Sequence, residues 1–98
     1  MNTILVTKEF DGWLSKLKDF RAKARIIARI QGARLGNFGS YRVLGNGVME
    51  MKIDVGPGYR VYYAQEDSVI YLLLCAGDKT TQARDIKIAK KLWATRQG

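Results

Sequence analysis

The stretch "SYRVLGNGVMEMKIDVGPGYRVYYAQEDSVIYLLLCAG", residues 40–77, decides the fold because its apolar residues recur every second position. Successive side chains on a strand point to opposite faces, so alternation marks a sheet with one covered and one polar side. "GNG" at residues 45–47 has the signature of a tight hairpin between two extended runs. On the second run Met49, Met51, Ile53 and Val55 share one face, and Glu50, Lys52 and Asp54 share the other. "GPG" at residues 56–58 then turns the chain into "YRVYYAQ". There Arg60 and Tyr62 share a face opposite Tyr59, Val61 and Tyr63. "VIYLLLC", residues 69–75, is apolar throughout, as a central strand covered on both faces would be.

Upstream, "TILV" reads as a short strand, and Thr7 as the cap of a helix carrying Phe10, Trp13, Leu14 and Leu17 at helical spacing. Asp19 is a second cap, and the spacing predicts that Phe20, Ala24, Ile27, Ala28 and Leu35 form the core stripe of the helix that follows. "LGNFGS" closes it with glycine stop signals. Downstream, "TTQARDIKIAKKLWATR" predicts a helix with Ile86, Ala89 and Trp93 on one stripe and Ile88 and Leu92 beside it. The order is strand, two helices, four antiparallel strands, helix. This is an α+β class, with helices on one face of a twisted sheet and a partly open polar face. At 98 residues the chain is expected to be one domain, residues 1–98.

Composition narrows the chemistry. The chain has no histidine and one cysteine, Cys75, so it offers no Ser–His or Cys–His nucleophile pair, no internal disulfide and no ready zinc set. Cys75, inside an apolar run, reads as an inert core thiol. The longest apolar run, residues 69–77, is far short of a membrane span of about 20 residues, and no secretion signal is visible, so a cytoplasmic location is expected. Seventeen Lys and Arg against nine Asp and Glu leave a net charge of +8. Lys16, Lys18, Arg21, Lys23, Arg25, Arg29 and Arg34 cluster against Asp19 alone, and a second group begins at Arg84. Such a field attracts polyanions, although it also serves as a plain solvated surface.

With the hairpin and the GPG turn aligning consecutive strands, Glu50, Lys52, Arg60 and Tyr62 are expected to converge on the polar face. Lys79 and Gln82 would join them at the sheet's end. Cationic donors with a single carboxylate suit a phosphodiester. Exposed strand charges forming cross-strand pairs have the same pattern, so alternation alone leaves Arg60 either a ligand group or a surface charge.

Three segments, "FDGWLSKLKDFRAKARIIARI", "LGNFGSYRVLGNGVMEMKIDVGPGYRVYY" and "IYLLLCAGDKTTQARDIKIAKKL", occur in that order over nearly the whole chain. Together they resemble the addiction-module killer proteins, the RelE/HigB-like toxins of bacterial type II toxin–antitoxin pairs within the RelE/ParE superfamily. "GPGYRVYY" with "GDKTTQ.RDI" is the specific part of the match.

The resemblance implies a small antiparallel sheet with N-terminal helices on one face and a C-terminal helix. It implies a ribosome-dependent mRNA endoribonuclease that needs no metal or other cofactor, in which the ribose 2′-OH attacks the adjacent phosphate. Residue by residue it matches Arg60, Lys52 and Lys79 to the family's basic residues; the chemistry then casts Arg60 and Lys79 as phosphate clamps, Lys52 as a charge-neutralising or proton-relaying group, and Glu50 as a candidate base. It further implies RNA or ribosome contacts from Lys16, Lys18, Arg21, Lys23, Arg25, Arg29, Arg42, Gln82 and Arg84. Where RelE itself has a C-terminal tyrosine acting in proton transfer, this chain has Asp85 or nothing equivalent. The implied partners are the ribosome, mRNA and an adjacently encoded antitoxin of helix-turn-helix type, the toxin being a monomer or part of a small hetero-oligomer. Rival readings are a ParE-like gyrase poison, a non-catalytic nucleic-acid or antitoxin-binding module, and a decayed toxin.

Overall fold

A computed structural model describes residues 1–97; Gly98, the last residue of the expected domain, lies outside the described residues. Five strands and three helices follow one another as β1 (Thr3–Val6), α1 (Lys8–Lys16), α2 (Phe20–Arg34), β2 (Tyr41–Gly45), β3 (Val48–Ile53), β4 (Tyr59–Asp67), β5 (Ile70–Asp78) and α3 (Gln82–Gln97). A 3₁₀ turn, Lys79–Thr81, leads into α3. The strands form one sheet in the order β1-β5-β4-β3-β2.

Both expected turns are present. Gly45, Asn46 and Gly47 all have positive φ, so β2 can return at once as β3. The β3–β4 register sets Lys52 against Arg60 and Glu50 against Tyr62, as the alternation requires. Met51, Ile53, Tyr59, Val61 and Tyr63 enter one core cluster with Phe10. Thr7 and Asp19 cap their helices, accepting from the amides of Phe10 and Ala22 at 3.0 Å each. Phe38, between α2 and β2, stacks on Tyr63 at 5.1 Å.

Three expectations need correction. First, the sheet is mixed: β1 runs parallel to β5, with Thr3 opposite Ile70. Its partner lies more than sixty residues away, so no local pattern reports the pairing.

Second, the helices do not share one face. The cluster that holds Phe10 of α1 and Ile26 of α2 lies on one side of the sheet. Ala89 and Trp93 of α3 belong to a separate cluster with Tyr62, Ala64, Leu72 and Leu74. The side expected to be open is therefore largely covered by α3. A bulge assists: Tyr62 pairs with Cys75 but Tyr63 pairs with Leu73, leaving Leu74 unpaired, so Leu74 and Cys75 both turn toward α3.

Third, α2 is rotated from its predicted orientation. Ala22, Ile26 and Ala33 are its buried residues, whereas Phe20 is 79% and Leu35 71% exposed, and Ile27 is exposed too. Small alanines let the helix backbone approach the sheet closely, which larger Phe and Leu side chains would prevent.

Candidate functional site

Two cavities meet on the α3 side of the sheet, at its GPG-turn end. One, of about 400 Å³, is lined by Ser40, Tyr41, Arg42, Glu50, Lys52, Arg60 and Gln82. The other, of about 410 Å³, is lined by Lys52, Asp54, the Val55–Gly58 turn, Arg60 and Lys79. Lys52 and Arg60 line both, so the two form one groove with these cations at its waist.

Local structure explains why Arg60 sits there. Its partner on β5 is Gly77, which has no side chain to fill the space above the sheet. A Cβ at Gly77 would collide with the Asp85 carboxylate and stand 2.6 Å from the Thr81 hydroxyl. The GPG turn, with positive φ at Gly56 and Gly58, aims the Gly58 carbonyl back at the strand, where it accepts from Arg60 Nη1 at 3.2 Å.

Arg60 is only 8% exposed, and its Nε is buried without a hydrogen-bond partner among the described residues. The nearest carboxylate oxygen, Glu50 Oε2, is 3.9 Å from that nitrogen. Glu50, 3% exposed, is occupied elsewhere: Arg42 Nε donates to Oε1 at 2.9 Å and Gln82 Nε2 donates to Oε2 at 3.0 Å. A buried carboxylate thus joins β2, β3 and α3 and supplies the counter-charge for a buried guanidinium. Lys52 is partly exposed and pairs with Asp54 at 3.5 Å. Lys79 is exposed at the start of the 3₁₀ turn, which Asp78 caps by accepting from the Thr80 amide at 2.8 Å. The Thr80 hydroxyl, also donating to Asp78, holds that carboxyl below its ordinary pKa.

Thus Arg60, Lys52, Lys79, Glu50, Arg42 and Gln82 are brought together, and the remaining expected contacts lie apart. Lys16, Lys18, Arg21 and Arg25 are exposed on or between α1 and α2, and Lys23 is half-buried on α2. Arg84 is exposed and stands 3.8 Å from the Asp85 carboxylate. Arg29 serves the fold: its guanidinium donates to the carbonyls of Lys52 at 2.5 Å, Phe38 at 2.9 Å and Ser40 at 3.1 Å. It therefore fixes the loop before β2 and the end of β3.

Fifty-three per cent of residues are identical over 89 positions to an uncharacterized protein of Haemophilus influenzae, a match spanning 91% of this chain and 90% of that protein. The chain belongs to that protein's family. An aligned span of this length necessarily takes in residues 40–82, and with them every groove residue. No family model matches the chain.

Several participants escape sequence reasoning. Ser40 and Tyr41 line the groove because β2 is the edge strand beside β3. Asp85 is buried under Gly77, where it accepts from the Thr81 hydroxyl at 2.5 Å. The paired small and acidic residues of "AGDKTTQARD" carry that signal only once the β5–α3 crossing is known. Tyr62 was expected on this face and lies beneath the groove; what the sequence did not show is that its hydroxyl is fully buried, with no partner among the described residues. Burial, and then the Glu50 charge, raise its pKa, so it keeps its proton near neutrality. Cys75 behaves as expected: its thiol donates to the Asp85 carbonyl at 3.5 Å, and burial pushes its pKa up to about 12.

Proposed function

We propose that this protein is the toxin of a type II toxin–antitoxin pair and cleaves mRNA on the ribosome without a metal. The observation that carries the reading is the buried Arg60 at the waist of the groove, with Lys52 directly across the strand pair and Lys79 at the rim. Desolvation makes such a cation a strong partner for a phosphate, because neighbouring dipoles and charges rather than water hold it.

In the reaction the ribose 2′-oxygen attacks the adjacent phosphorus and gives up its proton. The 5′-oxygen leaves and takes one up, so the products are a 2′,3′-cyclic phosphate and a 5′-hydroxyl. Arg60 and Lys52 stabilise the charge that accumulates on the phosphoryl oxygens. The 2′-OH stands beside its own phosphate, so holding the sugar in line supplies much of the acceleration. Glu50, with both oxygens accepting hydrogen bonds, acts chiefly as the counter-charge that fixes Arg60 and Arg42. Proton transfer then falls to Lys52 or to water. Exposed cations of α1 and α2 meet ribosomal RNA, giving salt-sensitive binding. The outward α2 stripe of Phe20, Ile27 and Leu35, bordered by Arg21, Arg25 and Arg34, suits an acidic amphipathic segment of the antitoxin. No helix among the described residues is long and apolar enough to cross a membrane.

The test is induction in a bacterial host followed by primer extension on translated messages. Growth arrest with breaks inside codons is expected, and Arg60→Ala should remove both while the protein stays folded. Intact messages with accumulated gyrase–DNA breaks would replace this reading with the gyrase one.

A further inference from the structure

The two cavities divide the groove cations unequally. Arg60 and Lys52 line both; Arg42 and Gln82 line only the first; Lys79 lines only the second. Their ion pairing differs as well. Arg60 stands against Glu50, and Lys52 is paired with Asp54, whereas Lys79 makes no ion pair among the described residues. Lys79 follows directly after Asp78, the residue that pairs with Tyr59 at the end of the β4–β5 ladder. It therefore stands beyond the strand pair that carries Arg60, on the far side of the GPG turn.

We infer that Lys79 takes a different phosphate from Arg60: the backbone phosphate of a flanking nucleotide, bound in the cavity of the GPG turn. The inference rests on the RNA reading of the groove and assigns its ligand as a single strand of at least two consecutive phosphates. One phosphate lies at the waist against Arg60 and Lys52, and its neighbour lies between the GPG turn and Lys79. Asp54 lines this second cavity and partly neutralises Lys52, which leaves Lys79 as the uncompensated charge for the flanking phosphate. Lys79 is thus a binding residue that sets substrate length and polarity, and the reacting phosphate belongs to Arg60.

The full chain is titrated, by nuclear magnetic resonance at low salt, with a 2′-O-methyl dinucleoside monophosphate, which cannot be cleaved. The same dinucleotide with one added terminal phosphate, on the 5′ side or on the 3′ side, is titrated in parallel. One of the two added phosphates, and not the other, is expected to tighten binding by about fivefold, the range of an exposed ion pair. It should also steepen the salt dependence by about 0.7 in log–log slope. Lys79→Met should abolish both gains, so that the phosphorylated and parent dinucleotides bind the variant equally. Lys91→Met, an exposed lysine on α3 away from the groove, should retain them. If Lys79→Met weakens all ligands by the same factor, Lys79 shares the phosphate of Arg60 and the inference is wrong. Survival of the gain in Lys79→Met would also overturn it. A dinucleotide that fails to bind, or binds Arg60→Ala as well as the wild type, overturns the RNA reading itself and the inference with it.

Discussion

Replacing Glu50 with alanine removes one acceptor each from Arg42 Nε and Gln82 Nε2 and leaves Arg60 buried with no carboxylate within 4 Å among the described residues. The first two losses are modest, because Arg42 is largely exposed and Gln82 partly so, and both can turn to water. The third dominates. Stranding one member of a buried ion pair costs about 3–5 kcal/mol, and a pair bordering an open cavity falls near the lower end, ~3 kcal/mol. In a domain of this size 1 kcal/mol corresponds to about 4–8 °C in Tm, so the variant should melt at least about 12 °C lower.

Glu50→Gln, which keeps an acceptor and loses the charge, should fall between the two at about 1–3 kcal/mol. The double variant Glu50→Leu/Arg60→Met should recover most of the loss, since an apolar pair leaves no stranded charge. Urea unfolding followed by the fluorescence of Trp13 and Trp93 measures all four proteins. A loss below ~1 kcal/mol for Glu50→Ala would refute the counter-charge role. It would return Glu50 to the position of a free base. A double variant no more stable than Glu50→Ala would be equally damaging.

Gly77→Ala forces a Cβ into the Asp85 carboxylate and should cost about 1–3 kcal/mol by overpacking; Asp85→Ala in the same chain should relieve part of that loss in a thermal melt. On α2, Ile26→Ala should cost about 2–5 kcal/mol, while Phe20→Ser should stay within about 0.5 kcal/mol, which urea midpoints will separate. Because the Cys75 thiol has its pKa raised to about 12, its reactive thiolate is scarce below that pH. Iodoacetamide should leave it unmodified at pH 8 in the native protein and alkylate it in denaturant, as read by mass spectrometry.

Strand parity was legible because Glu50 and Lys52 of β3 and Arg60 of β4 each fall between two apolar residues, and a one-residue slip would have reversed every face. That parity alone brought Glu50, Lys52 and Arg60 together. The orientation of α2 was not legible. In "FRAKARIIARIQGARL" apolar residues surround the helix, so two stripes about one residue apart fit the period equally well. Closeness of approach to the sheet, which favours Ala22 and Ala33, chose between them. The burial of the site was hidden for another reason. Glu50 and Arg60 look like solvated charges on a strand, and only the crossing of α3, set by long-range packing, turns them into an enclosed pair. Arg29 shows the converse: a cation within a basic run is committed to three backbone carbonyls that no spacing rule reveals.

The pairing of β1 with β5 has a consequence for synthesis. Chain growth is vectorial, yet the first strand waits for residues 70–73 before it can join the sheet, and Gln82 and Asp85 arrive on the last helix. The groove is therefore assembled only when nearly the whole chain has emerged, and until then Glu50 and Arg60 belong to an unfinished half. A chain cut before residue 82 would lack both the Gln82 bond to Glu50 and the α3 cover, and with them a finished groove.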